Sequence, residues 1–268
     1  MGRRRLVLLD RLTTVVYPVI AFALIMSIWE VVVRADHVSR FILPPPSHVA
    51  QKLGIFDQLW PDLWATIERV IYGFLLATGV GFVLAVLIVT FRPVSRALYP
   101  ILISTQVVPK VAIAPLFLIW FGYGGWSTIL IVFLLAFFPI VINTTLGLRS
   151  TELEKLYLAR SIGASWLSTF AKIRLPNALP STFGGLKLAA LLSVNGAVVA
   201  EFISSTTGIG RVLQEAAGNV DLVRMFVAIG YLSAFGLLFF LLMDVLERLL
   251  IPWHVSRREA IVAPTGGA

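Results

Sequence analysis

The chain has 268 residues, 58% of them hydrophobic and only 13% charged, with a mean hydropathy of +0.91, which excludes an ordinary soluble domain. Its net charge of +8 is spread between apolar runs rather than gathered on one stripe, so membrane topology accounts for it better than a nucleic-acid partner does. No cysteine is present, which excludes disulfide staples, thiol catalysis and cysteine metal sites.

The expected fold class is an all-α membrane protein, because lipid leaves unpaired backbone groups no water to bond. Each crossing needs about 20 mainly apolar residues. Residues 1–12, MGRRRLVLLDRL, are a basic terminus that resembles a signal n-region. The apolar run from Thr13 to Val33 is too long for the core of a signal, and no small-residue cleavage site follows it. It is expected to be an uncleaved first span. The loop from Asp36 to Leu63 follows, with Ser47 in ILPPPSHVAQKLGIF as the expected N-cap of a short interfacial helix. It is either a structural connector or a docking surface for an external binding protein. The second span is expected over Ile67 to Phe91 and the third over Leu98 to Phe121, interrupted by Pro109 and Pro115. A GYGG turn leads to a fourth, Trp126 to Leu148. The polar interval 149–179 precedes a fifth span, Pro180 to Ser204, and a sixth runs from Met225 to Ile251. Residues 13–251 thus form one six-span domain, and 252–268 form a tail expected to be disordered after Arg258.

Lys and Arg set the orientation. With the N-terminus inside, Arg3, Arg4, Arg5, Arg11, Arg92, Arg96, Arg149, Lys155, Arg160, Lys172, Arg174, Arg248, Arg257 and Arg258 are cytoplasmic. Arg34, Arg40, Lys52, Arg69, Arg211 and Arg224 are outside. This is the positive-inside asymmetry, and an even span count makes both termini cytoplasmic.

Polar residues within the spans are the candidates for a solute route. Lys110 lies near mid-membrane, where an ionisable group is costly and faces a cavity or pairs with an acid such as Glu201. Broken helices at that depth recur at transporter sites. Gln106 and Asn143 either line a polar route or bond between helices. Gly73, Ala77, Gly81 and Ala85 form a small-residue row read as helix packing. The row Gly185, Ala189, Ser193, Ala197, with Asn195 and Gly196 beside it, suits packing or pathway lining equally. Glu201 and Glu68-Arg69 are expected at the outer ends as a weak interfacial ion pair, and Lys187 is expected to snorkel. Gly208-Ile209-Gly210 follows no strand and reads as an external turn, not a nucleotide loop. His37, His48 and His254 are scattered, so no metal cluster is expected, and no nucleophile elbow or Walker motif is present.

The interval LARSIGASWLSTFAKIRLP resembles the cytoplasmic loop of permease subunits of binding-protein-dependent ABC importers, whose pattern is Glu-Ala-Ala-x3-Gly-x9-Ile-x-Leu-Pro. Ala159, Gly163, Ile173, Leu175 and Pro176 fall in register, while Tyr157 and Leu158 replace the first two residues. ILPPPSHV, TIERVIYGF, VPKVAIAPLFLIWFG, FFPIVINTTLGL and VAEFI followed by TTGIG are similar to the nitrate/sulfonate/taurine branch. The resemblance implies a type I importer permease in the bacterial cytoplasmic membrane. It also implies a homodimeric core, two cytosolic ATPase subunits that bind ATP and Mg, and an extracytoplasmic solute-binding protein; this chain itself holds no cofactor. The loop would act as a coupling helix through Ala159, Arg160, Ser161, Gly163, Ala164, Ile173, Leu175 and Pro176. Gly163 would turn left-handed, Ser165 would cap the next helix and Pro176 would stop it. The implied solute is a small anion (a sulfonate, taurine, nitrate or aromatic acid), with a pyrimidine or flavin precursor as the alternative. A channel or secondary transporter would need no docking hairpin. A membrane enzyme would need clustered His, Asp or Ser at a membrane face, which this sequence lacks.

Overall fold

The computed structural model describes residues 2–35, 39, 42–204 and 206–254, of which 2–15, 204 and 254 are described by their backbone alone. His37, Arg40 and the tail after Arg258 lie outside the described residues. Every regular element among the described residues is helical. The chain divides into two compact units, residues 1–60 with 213–230, and residues 61–212 with 231–268.

The first unit holds α1 (Gly2–Ala35) and α2 (Pro46–Gln51). From Val16 onward α1 is apolar on all sides and mostly exposed, as suits a helix whose solvent is lipid. Ser47 does not cap α2: Pro45 is the N-cap residue and Pro46 the first helical one. Ser47 instead donates its backbone N–H (2.9 Å) and its hydroxyl (2.7 Å) to the Glu30 carboxylate. The carboxylate of α1 therefore satisfies an orphan N–H at the start of α2. Trp29 and Phe226 add a ring contact with centroids 5.2 Å apart.

The second unit is built on α6 (Gly125–Arg149), α9 (Leu175–Ser204) and the greater part of α3 (Phe56–Thr90) and α11 (Leu222–Leu250), together with α4 (Arg92–Ser104), α5 (Ala114–Phe121), α7 (Leu153–Ser161), α8 (Trp166–Thr169) and the start of α10 (Ile209–Gly218); residues 56–60, 213–218 and 222–230 of these helices belong to the first unit. Small residues decide the packing. A Cβ on Gly73 of α3 would lie 2.5 Å from Val132, and one on Gly185 of α9 would lie 2.8 Å from Asn143 Cβ, so both helices press directly on α6. Val70, Phe74 and Ala77 meet Val132, Ala136 and Ile140, with Ala189, Val194 and Phe239 in the same core. The fifth-span row is thus a packing row. Ser193 is fully buried, its hydroxyl donating to the Ala189 carbonyl at 2.7 Å.

The third expected span is not a single helix. After α4 come turns over 105–109 and a 3-10 turn over Lys110–Ile113, then the short α5. Pro109 has no N–H to continue the ladder of α4, and Pro115 sits at the start of α5, where a missing N–H costs nothing. Among the described residues five helices are long and apolar enough to cross a membrane, and 110–121 is a further, shorter apolar segment.

Candidate functional site

Two sites expected from the sequence can be built from these elements. The first is a cavity of about 340 Å³ in the second unit, where the broken third segment faces α6 and α9. Gln106, Lys110 and Asn143 line it together with Phe138, Leu188 and Leu192. Lys110 is half-buried and holds its ammonium 4.7 Å from the centre of the Phe138 ring, a cation–π contact that partly replaces lost water. Asn143 donates to the Pro139 carbonyl at 2.8 Å, leaving its amide oxygen toward other partners.

Ser193, Asn195 and Glu201 do not line this cavity. Ser193 is in the core, Asn195 is exposed, and Glu201 belongs to a separate cluster. Glu201 is fully buried and pairs with Arg69 at 2.8 Å, not with Lys110. Thr66 donates to its other oxygen at 2.8 Å and the Gly210 N–H donates at 3.1 Å. Arg69 also donates to the Thr207 carbonyl at 2.8 Å, and Asp62 accepts from the Gly208 N–H at 2.8 Å and from Arg211 at 3.1 Å. What the sequence suggested as a weak interfacial pair is a buried network that fastens residues 207–211 to α3 and α9. Lys187 does not snorkel either: it pairs with Asp244 and, at 2.6 Å, with Glu247 of α11. Those acids lie some sixty positions away in sequence, beyond the reach of any local pattern.

The second site is the polar interval between α6 and α9. Helix α7 ends in a Schellman motif, with Ala164 N–H bonded to the Ala159 carbonyl at 2.9 Å and Gly163 N–H to Arg160 at 3.0 Å. Gly163 takes φ +73°, the left-handed turn expected of it. Ser165 caps α8 by accepting from Ser168 N–H at 3.2 Å. Pro176 departs from expectation, because it ends no helix. The chain stays helical from Trp166 into α9, widening into a π turn over Phe170–Arg174. A proline ring clashes with the carbonyl four residues earlier, here that of Lys172, and the π turn moves that carbonyl away.

Around this turn, Ala159 is buried, whereas Arg160, Ser161 and Gly163 are exposed and Ala164, Ile173, Leu175 and Pro176 are half-buried. The exposed side is apolar: Tyr157, Leu158, Ile162, Trp166 and Leu167 are each more than half exposed. Trp166 stacks on Phe170 with centroids 5.4 Å apart. The sequence pattern did not single these out, and Tyr157 and Leu158 stand where the loop departs from its motif. A hydrophobic cluster in the middle of a polar stretch was the available signal. No group of His, Asp and Glu able to hold a metal occurs among the described residues.

A chain of membrane-length apolar helices, with a broken segment beside a mostly apolar cavity that holds one lysine and two amides and a structured hairpin in a polar interval, has the build of a transport permease. The chain matches, over residues 77–252, the family described as the binding-protein-dependent transport system inner membrane component, and it belongs to that family. It is 34% identical over 239 residues to the formylaminopyrimidine transport permease ThiX of Halalkalibacterium halodurans, covering 88% of this chain and 95% of the relative. It is 35% identical to the riboflavin transport permease RibX of Chloroflexus aurantiacus, covering 88% and 90%. It is 32% identical to the putative aliphatic sulfonates transport permease SsuC of Bacillus subtilis, covering 87% and 86%. In fold it is similar to a chain of the inward-facing methionine ABC transporter MetNI, with TM-score 0.62 at 16% identity over 73% of this chain and 97% of that one. The protein is therefore a multi-pass inner-membrane permease subunit of an ABC importer, with no catalytic site of its own; partner ATPases hydrolyse the ATP.

Proposed function

We propose that two copies of this chain form the membrane core of an importer that receives a small anionic solute from an extracytoplasmic binding protein and passes it through the cavity at Lys110. The observation that carries the reading is the polar part of that cavity's otherwise apolar lining: one ammonium and two amides, with no carboxylate among them. A cation there offsets part of the desolvation cost of a passing anion. A second reading, a planar pyrimidine or flavin precursor, is favoured by the Phe138 ring beside Lys110 and by the names of two relatives. Uptake into vesicles holding the complex and its binding protein, with taurine and an alkanesulfonate competed against formylaminopyrimidine and riboflavin, decides between them. Competition by the neutral ring compounds alone removes the anion reading.

In this proposal two cytosolic ATPase subunits, which bind ATP and Mg, seat the hairpin around Gly163 in a groove, and their closure rocks the spans about the central cavity. The exposed apolar side of Tyr157, Leu158, Ile162, Trp166 and Leu167 supports this, since so much apolar surface in a polar hairpin suits a partner's groove. A leucine at Gly163 would have to hold positive φ, at a cost of roughly 1–2 kcal/mol. We expect Gly163→Leu to insert and assemble normally but to lose most ATP-driven uptake. Normal coupling of uptake to hydrolysis in that variant removes the hairpin from the coupling role. The orientation, with hairpin and termini cytoplasmic, rests on the arginine and lysine asymmetry. Labelling of Ser168→Cys by an impermeant thiol reagent on intact cells would reverse it.

A further inference from the structure

Three guanidinium groups converge where three long helices end. Arg92 follows the C-terminus of α3, Arg149 is the last residue of α6, and Arg174 immediately precedes α9. All three line one cavity of about 250 Å³. Arg149 is held in place there, donating to Ser95 Oγ at 2.6 Å and lying over the Tyr99 ring with its centre 4.6 Å away. No carboxylate lines the cavity, and none among the described residues forms an ion pair with Arg92, Arg149 or Arg174. The nearest acid in the hairpin sequence, Glu152, is taken by Lys155 at 3.1 Å. The cavity is not polar throughout. Val89, half-buried at the end of α3, and Leu153, largely exposed, give it an accessible apolar side next to the buried Ile88 and Leu148, and Thr151 adds a hydroxyl.

Three like charges at the ends of membrane helices repel one another unless an anion sits among them, and planar guanidinium forks match phosphate oxygens. We propose that this cavity binds the phosphate of an anionic phospholipid headgroup at the bilayer surface. A protein carboxylate or a soluble anion would be matched by the arginines alone. The lipid is favoured because the cavity pairs those arginines with an apolar wall continuous with the spanning helices, as the junction of headgroup and acyl chain requires. Basic residues at helix ends and beside the anionic leaflet act in the same direction. The inference rests on the chain being membrane-embedded and not on the transported solute.

The test uses the assembled permease–ATPase complex in nanodiscs of phosphatidylcholine, with and without phosphatidylglycerol. Bound lipid is counted by native mass spectrometry after detergent release, and thermal stability is followed in parallel. Phosphatidylglycerol is expected to be retained and to raise the melting temperature, and phosphatidylcholine is not. Arg92→Gln and Arg174→Gln remove guanidiniums that hold no ion pair. Each is expected to weaken phosphatidylglycerol retention roughly tenfold, the scale of one charge-assisted hydrogen bond, while the fold in phosphatidylcholine is unchanged. Lysine at the same positions keeps part of the binding. The proposal fails if inorganic phosphate stabilises wild type as well as phosphatidylglycerol does, which makes the ligand a soluble anion. It fails equally if both glutamine variants retain lipid like wild type, or if they lose the ATPase subunits with lipid retention unchanged, which makes the cavity a protein contact.

Discussion

Glu201 and Lys110 are both ionisable residues within the apolar segments of one compact unit, and their surroundings are opposite. Glu201 is sealed from solvent, and both its oxygens are taken by Thr66, Arg69 and the Gly210 N–H. Lys110 is half-buried beside an open cavity, with an aromatic face in place of a counter-ion. A charge whose every bonding direction is filled by the protein has no capacity left for a solute, and its removal leaves buried donors without partners. A charge that faces space has capacity to spare, and its removal leaves only a rounder cavity. The contrast separates a charge held by the architecture from the one we propose lies on the solute route.

The strongest way to break the comparison is Glu201→Ala. It removes the buried counter-charge of Arg69, which keeps its bond to the Thr207 carbonyl, and takes away the acceptor of the Gly210 N–H, and removing one partner of a buried pair costs about 3–5 kcal/mol. The expected outcome is a marked fall in melting temperature and in yield of the assembled complex, measured on detergent-purified protein. A stable, assembled Glu201→Ala complex that has merely lost uptake would place Glu201 with the transport residues. Lys110→Met is the converse experiment. It preserves volume and removes charge, so uptake of an anionic solute is expected to fall roughly tenfold, about 1.4 kcal/mol on the barrier, with the melting temperature of wild type. Lys110→Arg should retain part of the uptake. Equal losses of stability and uptake would make Lys110 a structural residue. The smallest effect is expected from Gln106→Ala, which removes one neutral hydrogen bond of about 1 kcal/mol from the exposed rim of the same cavity. Uptake should fall a few-fold, with assembly untouched. A larger loss than Lys110→Met gives would point to recognition by amides and so to an uncharged solute.

The sequence alone determined the class of molecule, the approximate placing of the long helices and the hairpin before α9. These depend on composition and on spacing within a few turns, and Gly163 and Ser165 took the conformations that local chemistry demands. Local rules failed where neighbouring or distant backbone intervened. Pro176 carries a stop signal, but the π turn before it lets the helix pass. Ser47 carries a cap signal, but it was recruited by Glu30 from another helix. Only the tertiary structure decided which charge meets which. Thr66 and Arg69 stand 135 and 132 residues from Glu201, and no periodicity within a helix encodes that pairing. Nor does a run of apolar residues show that its lysine opens on a cavity while its glutamate does not. Spacing along the chain sets which face of a helix a side chain occupies; what it meets there depends on the helices that close approach at Gly73 and Gly185 brings against it.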